Sequence, residues 1–472
     1  MDIAIIGGGA AAVGLLDALA AARGEAGTIT VFEPSPHLWR GRAYGPDLDA
    51  VLVNAPPAIM SIRHGDSGHY AAWLGPRSAD HVDERLGQPL VPRALYGEYL
   101  VHTAEKAMAA LGEQGWHVRT VATRVTEVAR SEAHFLLRTH DAEEHRATHV
   151  ALCVGAGTPP DLYGLAGTPN FTADPYPLVG SLARVPAGSD VAIIGGGLTA
   201  VDVVVSLAAR GHQGPISLVS RSGVLPHVWQ RPNGRRPKHV TAERVAALNE
   251  ARGTVSLDDL ADLLRAELAD AGEDFDELAA ELLRTETEDP VRRLRRQIDA
   301  IDDPRIGRRV LQETAHSVGP YAWRLLPEAD RARLRRHLRT ATSVVSPMVP
   351  VNASLLMGLV DSGQLSIVSG VRTIEAANGR FRVRGTGGEF TARTVINAVN
   401  PPQQSVPAAA QQLVRSLTGT GLATLHPSGG VIPADPRVHV IGDLTGGGSF
   451  ITSSIPGVAA QASRTAQALR AS

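Results

Sequence analysis

The stretch Ile3-Ala4-Ile5-Ile6-Gly7-Gly8-Gly9-Ala10-Ala11-Ala12 decides the fold, and Val191-Ala192-Ile193-Ile194-Gly195-Gly196-Gly197-Leu198-Thr199-Ala200 repeats it in the middle of the chain. In both copies a short aliphatic run of buried-strand type leads into the glycines, and a long proline-free stretch rich in alanine and valine follows, as a helix would. The pattern G-x-G-x-x-G/A is common by chance, and this strand-turn-helix context is what makes it specific. The first glycine permits the tight turn and the second lets the backbone approach a pyrophosphate. The small third residue, Ala12 or Ala200, lets helix pack on strand. Amides at the helix start then face the phosphates. Each copy reads as its own dinucleotide cradle.

The strand after each cradle assigns the ligand. In the first copy Thr28-Ile29-Thr30-Val31-Phe32 ends in Glu33, a carboxylate placed to accept hydrogen bonds from ribose hydroxyls. This suits FAD, with Gly7, Gly9, Ala10 and Ala11 at the pyrophosphate. In the second copy Ile216-Ser217-Leu218-Val219 ends in Ser220-Arg221. A hydroxyl and a guanidinium suit a ribose 2′-phosphate, so NADPH is expected over NADH, held by Gly195, Gly197, Leu198, Thr199, Ser220 and Arg221.

Composition narrows the class. The 472 residues carry a formal charge of -2, with 43% hydrophobic and 20% charged residues, which is ordinary for a globular protein of two or three domains. No apolar run reaches membrane-span length. The N-terminus enters its first strand at once, so no signal peptide is expected and the cytoplasm is the default location. No basic excess recruits nucleic acid, and Arg292-Arg293 with Arg295-Arg296 reads as a solvated helix face. Arg235-Arg236, after a proline-rich loop, reads either that way or as a second contact for NADPH phosphates. The single cysteine, Cys153, lies in a hydrophobic strand and cannot form the internal disulfide that paired-cradle disulfide reductases use. The 17 histidines show no metal-binding spacing, so no metal is expected.

The expected fold is α/β with two Rossmann-like dinucleotide-binding domains on a glutathione-reductase-like plan. Residues 1–185 and 403–472 form the FAD domain, and residues 186–402 form the NADP domain inserted in it. Each half continues from its cradle into a β-meander, read at Val121 to Val128 and His134 to Thr139, and at Leu365 to Val368, Val371 to Ala376 and Phe381 to Arg384. From about 240 to 342 the pattern turns helical. Ser256 and Asp259 make a capping box ahead of Leu257, Leu260, Leu263, Leu264 and Leu268, and Asp289-Pro290 is another helix start. This block reads as an inserted lid or a homodimerisation element. Near the C-terminus Arg437 to Ile441 is a strand followed by Gly442-Asp443, and Ser453-Ser454-Ile455-Pro456-Gly457 opens the last helix. Asp443 and Ser454 are expected to contact FAD, with the helix dipole favouring the reduced ring.

Further stretches carry a family resemblance. They include Gly41-Arg42-Ala43-Tyr44, Leu52-Val53-Asn54-Ala55-Pro56 with Met60-Ser61, Pro92-Arg93 with Tyr96-Gly97-Glu98-Tyr99-Leu100, and Asp174-Pro175-Tyr176. With them the chain resembles, over nearly its whole length, the NAD(P)/FAD-binding relatives of class B flavin monooxygenases and N-hydroxylases. The resemblance implies that NADPH reduces FAD and that the reduced flavin activates O2 as a C4a-(hydro)peroxide to hydroxylate a small molecule. It adds Arg42 to the FAD contacts and places Asn54, Met60 and Ser61 beside the reacting ring. The chain departs from the family at Val344-Val345-Ser346-Pro347-Met348 and at Asp443, which leaves the substrate open. Phe171 to Pro177 lacks the F-x-G-x-x-x-H of Baeyer-Villiger enzymes, so hydroxylation at nitrogen or on a heterocycle is favoured. A flavin reductase without oxygenation and a non-catalytic redox-sensing module are the other readings.

Overall fold

The computed structural model describes residues 1–22, 24–448, 451 and 454–471. Two five-stranded parallel sheets organise it. The first runs in the order Val438–Val440, His149–Leu152, Asp2–Ile6, Thr28–Phe32, His117–Val121. The second repeats that plan as Phe171–Thr172, Thr394–Asn397, Val191–Ile194, Ile216–Val219, Leu365–Val368. The inner strands are apolar on both faces, as a parallel sheet covered on both sides requires; Ile3, Ile5, Val191 and Ile193 are buried.

Each sheet is followed by an antiparallel meander, Val125–Ser131 with His134–Thr139 and Glu144–Ala147 in one half, and Val371–Ala377 with Arg380–Gly385 and Gly388–Ala392 in the other. Two expected strands change place. Leu365–Val368 pairs in parallel with Ile216–Val219, and Val121 ends a strand paired in parallel with Thr28–Phe32. Both therefore close their parallel sheets at the edge, and the meanders begin after them. The alternating pattern that suggested hairpins is equally what a half-covered edge strand shows.

The helix Ala10–Ala21 packs between the helix Arg93–Glu113 and the terminal helix Ile455–Ala471. Gly14 makes this closeness possible, since a Cβ there would sit 3.3 Å from Ala462 Cβ and 3.4 Å from Ile62 Cδ1. Between the second sheet's strands, an unbroken run of helices extends from Ala242–Arg252 to Leu338–Val345. Thr241, Ser256, Asp274 and Asp289 cap helices in this run with their side chains, and the Ser256/Asp259 capping box is complete.

The arginines of Pro290–Asp299 divide: Arg292 and Arg295 are exposed, as their charge pattern suggests, whereas Arg293 and Arg296 turn inward. Arg293 is 2% exposed and donates to the carbonyls of Thr285 and Gly223, and Arg296 pairs with Glu281 and Glu288. Gly223 comes from a distant loop and the other partners from the segment just before the helix, so the helix buries a face that looks polar. Among the described residues no helix is long and apolar enough to cross a membrane, and no group of His, Cys, Asp and Glu could hold a metal ion.

Candidate functional site: two glycine cradles and the joint between them

The first cradle begins at Gly7, with φ +103°, whose amide donates to the Phe32 carbonyl at 2.9 Å. A Cβ at Gly7 would lie 2.5 Å from the Cys153 carbonyl oxygen, so the turn is sealed from below by the neighbouring strand. Gly9 is the N-cap of Ala10–Ala21, and no side chain caps that helix start. A Cβ on Gly9 would meet only the Gly41 backbone, with Cα at 3.5 Å and N at 3.9 Å. Little packs against the turn at Gly9, just ahead of the uncapped amides of Ala10 and Ala11, which fits a pyrophosphate. Glu33 anchors the rim: one carboxylate oxygen accepts from the Gly8 amide at 2.7 Å and the other from Ser35 at 2.8 Å. Each oxygen keeps a lone pair for a ribose hydroxyl.

The second cradle repeats these features. Gly195 has φ +126°, its amide donates to Val219 at 2.9 Å, and its Cβ would fall 2.7 Å from the Ala398 carbonyl oxygen. Gly197 caps Leu198–Ala209, again without a side-chain cap. Thr199 Oγ1, beside Leu198 in the first turn, donates to Asn400 Oδ1 at 2.8 Å. Ser220 Oγ accepts from the Gly223 amide at 2.9 Å and shapes the loop that presents Arg221. Arg221 is exposed and pairs with no carboxylate among the described residues, leaving its charge for a ligand phosphate. Arg235 instead lies 3.8 Å from Glu267 of the insertion.

A buried polar joint connects the cradles. Arg93, at the start of Arg93–Glu113, forms a 2.6 Å salt bridge with Asp202 on the second cradle's helix, their side chains 11% and 1% exposed. Tyr176 completes the cluster: Arg93 donates to its hydroxyl at 3.0 Å, and that hydroxyl donates to Asp202. Burial raises the Asp202 carboxyl from its usual range, and Arg93 opposes that shift. Arg42 pairs with Asp174 and lies over the Tyr176 ring, 5.2 Å from its centroid. Asp47 accepts from the amides of Leu178 and Val179, at 2.8 and 2.7 Å. Motifs scattered from Arg42 to Asp202 thus meet in one place. Asp202 was legible as the one acid in the aliphatic helix Leu198–Ala209, but its partner was not.

The strip expected beside the ring lies next to this joint. Asn54 accepts from Trp229 Nε1 through its carbonyl at 2.7 Å, while its buried Oδ1 has no partner in the described structure. An orphaned buried acceptor fits a site completed by a donor on a ligand. Met60 is buried and its carbonyl accepts from Tyr96 at 2.8 Å. Ser61 turns inward: its hydroxyl lies 2.6 Å from the Asp66 carbonyl, which closes its own loop. Tyr44 is held protonated mainly by burial, with Asp443 near enough to reinforce this and Arg93 to oppose it. Ser454 is buried and accepts from the Gly457 amide at 3.3 Å in the first turn of the terminal helix; Ser453 lies outside the described residues. Cys153 is buried, and burial pushes its thiol pKa far up, which removes it as a nucleophile.

Residues 4–157 match the model of a family described as FAD-NAD(P)-binding. The match identifies an FAD-NAD(P)-binding domain. No curated protein matches the chain. Among solved structures, the FAD-bound cadaverine monooxygenase of desferrioxamine biosynthesis from Erwinia amylovora is similar at 13% identity and TM-score 0.59, covering 100% of this chain and 94% of that one. The ornithine hydroxylase of Pseudomonas aeruginosa is similar at 15% identity and TM-score 0.56, covering 99% of each chain. An ornithine N-hydroxylase from Kutzneria sp. 744, with reduced FAD, NADP+ and L-ornithine, is similar at 12% identity and TM-score 0.55, covering 100% of this chain and 99% of that one. At these identities the likeness is one of fold: the chain has the two-sheet architecture of those flavoproteins.

Proposed function

We propose that the chain is an FAD- and NADPH-dependent monooxygenase that hydroxylates a small molecule, with nitrogen of an amine as the favoured position. The observation that carries the reading is the pair of glycine-capped helix starts, both without a side-chain cap, at equivalent places on two sheets of the same strand order. On this reading 1–185 and 403–472 hold FAD, and 186–402 holds NADPH. The amine preference rests on the fold's likeness to amine N-hydroxylases and on the absence of the Baeyer-Villiger motif.

Bound FAD would supply the acceptance of hydride from NADPH and the activation of oxygen. The chain's own residues bind and orient. Amides at Ala10 and Ala11 would hold the FAD pyrophosphate, and Glu33 its ribose. Amides at Leu198 and Thr199, with Arg221, would hold NADPH. The buried Arg93–Asp202–Tyr176 cluster keeps the two nucleotide units in fixed register, which orients donor toward acceptor. The insertion's helix Gly307–Ser317 packs on Pro57–Ile59 and on the terminal helix, which would help exclude water from the reacting centre.

The test is NADPH oxidation with isotopically heavy O2 across a panel of primary amines, amino acids and diamines, followed by mass spectrometry. Label in a hydroxylated product supports the proposal. NADPH oxidation that only reduces an added acceptor, with no labelled product, supports a reductase instead.

A further inference from the structure

The insertion reaches the start of the terminal helix at three points. Trp323 Nε1 donates to the Gly447 carbonyl at 2.9 Å, and Val344 and Val345 pack on Ile451. The third contact is polar and directional. His316, near the end of Gly307–Ser317, lies with Nε2 2.7 Å from the Val345 carbonyl and Nδ1 3.3 Å from Ser454 Oγ.

These two contacts determine the tautomer. A carbonyl oxygen only accepts, so Nε2 must carry the proton. Burial lowers the pKa of His316, which keeps the ring neutral and leaves a lone pair on Nδ1. The Ser454 hydroxyl must then donate to Nδ1. Its oxygen accepts from the Gly457 amide at 3.3 Å and has no proton left to offer elsewhere. A chain from the Val345 carbonyl through the imidazole to Ser454 therefore fixes which way that hydroxyl points, and the serine faces the helix start as an acceptor only.

We infer that His316 is a positioning residue of the flavin site, through which the helical insertion orients the Ser454 hydroxyl at the amino end of the terminal helix. The inference rests on the FAD reading above. It assigns the insertion a role in the cofactor site that is independent of dimerisation. Without the imidazole, the serine hydroxyl loses the partner that holds it in this orientation, which weakens FAD binding and changes the flavin's ease of reduction.

The experiment compares wild type, His316→Leu, His316→Gln, Ser454→Ala and the His316→Leu/Ser454→Ala double variant. FAD affinity is read by fluorescence titration and the flavin midpoint potential by equilibrium reductive titration with a dye. The expected result is that His316→Leu and Ser454→Ala each weaken FAD binding about threefold to tenfold and shift the potential. The double variant should be no worse than the more affected single, because both remove the same interaction. Glutamine offers one acceptor and one donor, so His316→Gln should stay near wild type. Nitrogen NMR on the protein without added FAD should show His316 protonated at Nε2 alone.

Additive single effects, an unchanged potential in folded His316→Leu, or a proton on Nδ1 would each overturn the inference. Should His316→Leu fail to fold, Ser454→Ala, His316→Gln and the NMR tautomer still decide it. A wild-type chain that takes up no FAD sinks the flavoprotein reading itself. A wild type that binds FAD beside an unaffected His316→Leu sinks only the role of His316.

Discussion

Gly7 and Gly9 are two residues apart in the same turn, and replacing each by alanine should have opposite consequences. Gly7 has φ +103°, and a Cβ there would sit 2.5 Å from the Cys153 carbonyl oxygen and 2.8 Å from its carbon. Left-handed backbone costs a non-glycine residue about 1–2 kcal/mol, and displacing a packed neighbouring strand adds about 1–3 kcal/mol. Gly7→Ala should therefore lose about 2–5 kcal/mol of stability. Gly9 has φ -99°, and its added Cβ would make only an ordinary contact with Gly41 Cα at 3.5 Å. As an N-cap change, Gly9→Ala should cost under about 1 kcal/mol. The new methyl stands, however, where a phosphate must approach the amides of Ala10 and Ala11. Loss of one charge-assisted hydrogen bond, about 1.5–3 kcal/mol, corresponds to a roughly 10- to 100-fold weaker affinity for FAD. Urea unfolding of the apo-protein and fluorescence titration with FAD separate the two effects. A folded Gly9→Ala variant that binds FAD like wild type would refute the placement of the pyrophosphate at this turn.

The second cradle should discriminate nucleotides through Arg221: Arg221→Gln is expected to weaken NADPH about 10- to 100-fold and leave NADH unchanged, as read from initial rates with each nucleotide. Equal weakening of both would place the guanidinium elsewhere. Asp202→Ala strands the buried Arg93 charge and should cost about 3–5 kcal/mol in urea unfolding, with Asp202→Asn losing less; a loss under about 1 kcal/mol would mean that water replaces the carboxylate. Stability should also fall with pH below about 6.5. Burial beside Arg293, Arg308 and Arg296 depresses buried His227 to about 3, and burial with His149 depresses His439 to about 4. The unfolded chain therefore binds protons that the folded chain refuses, and the free energy of unfolding declines from about pH 6.5 down to those values. His227→Gln should flatten that slope, and an unchanged slope would show that the site admits water.

The candidate site was largely formed by distant pairings. Arg42 and Arg93 stood in quoted motifs, but nothing local told that Arg42 pairs with Asp174 or that Arg93 reaches Asp202. Charge alone misled at Arg293, which looked like a solvent-facing residue and is buried because backbone carbonyls from two other segments receive its donors. His316 gave no signal at all, since its importance lies in the Val345 carbonyl and the Ser454 hydroxyl, which come from elsewhere in the chain.

The sequence by itself determined the features that act over a few residues. The two strand-turn-helix units are written in Gly7 and Gly195, because only glycine adopts those backbone angles against a neighbouring strand. The Ser256/Asp259 capping box and the contrast of Glu33 with Ser220-Arg221 are local in the same sense. Tertiary structure decided which edge strands close the sheets, which charges are buried, and that the helical insertion rests on the start of the terminal helix. Those outcomes depend on hydrogen-bond and packing partners far apart in the chain, and no periodicity within one segment encodes the identity of a partner in another.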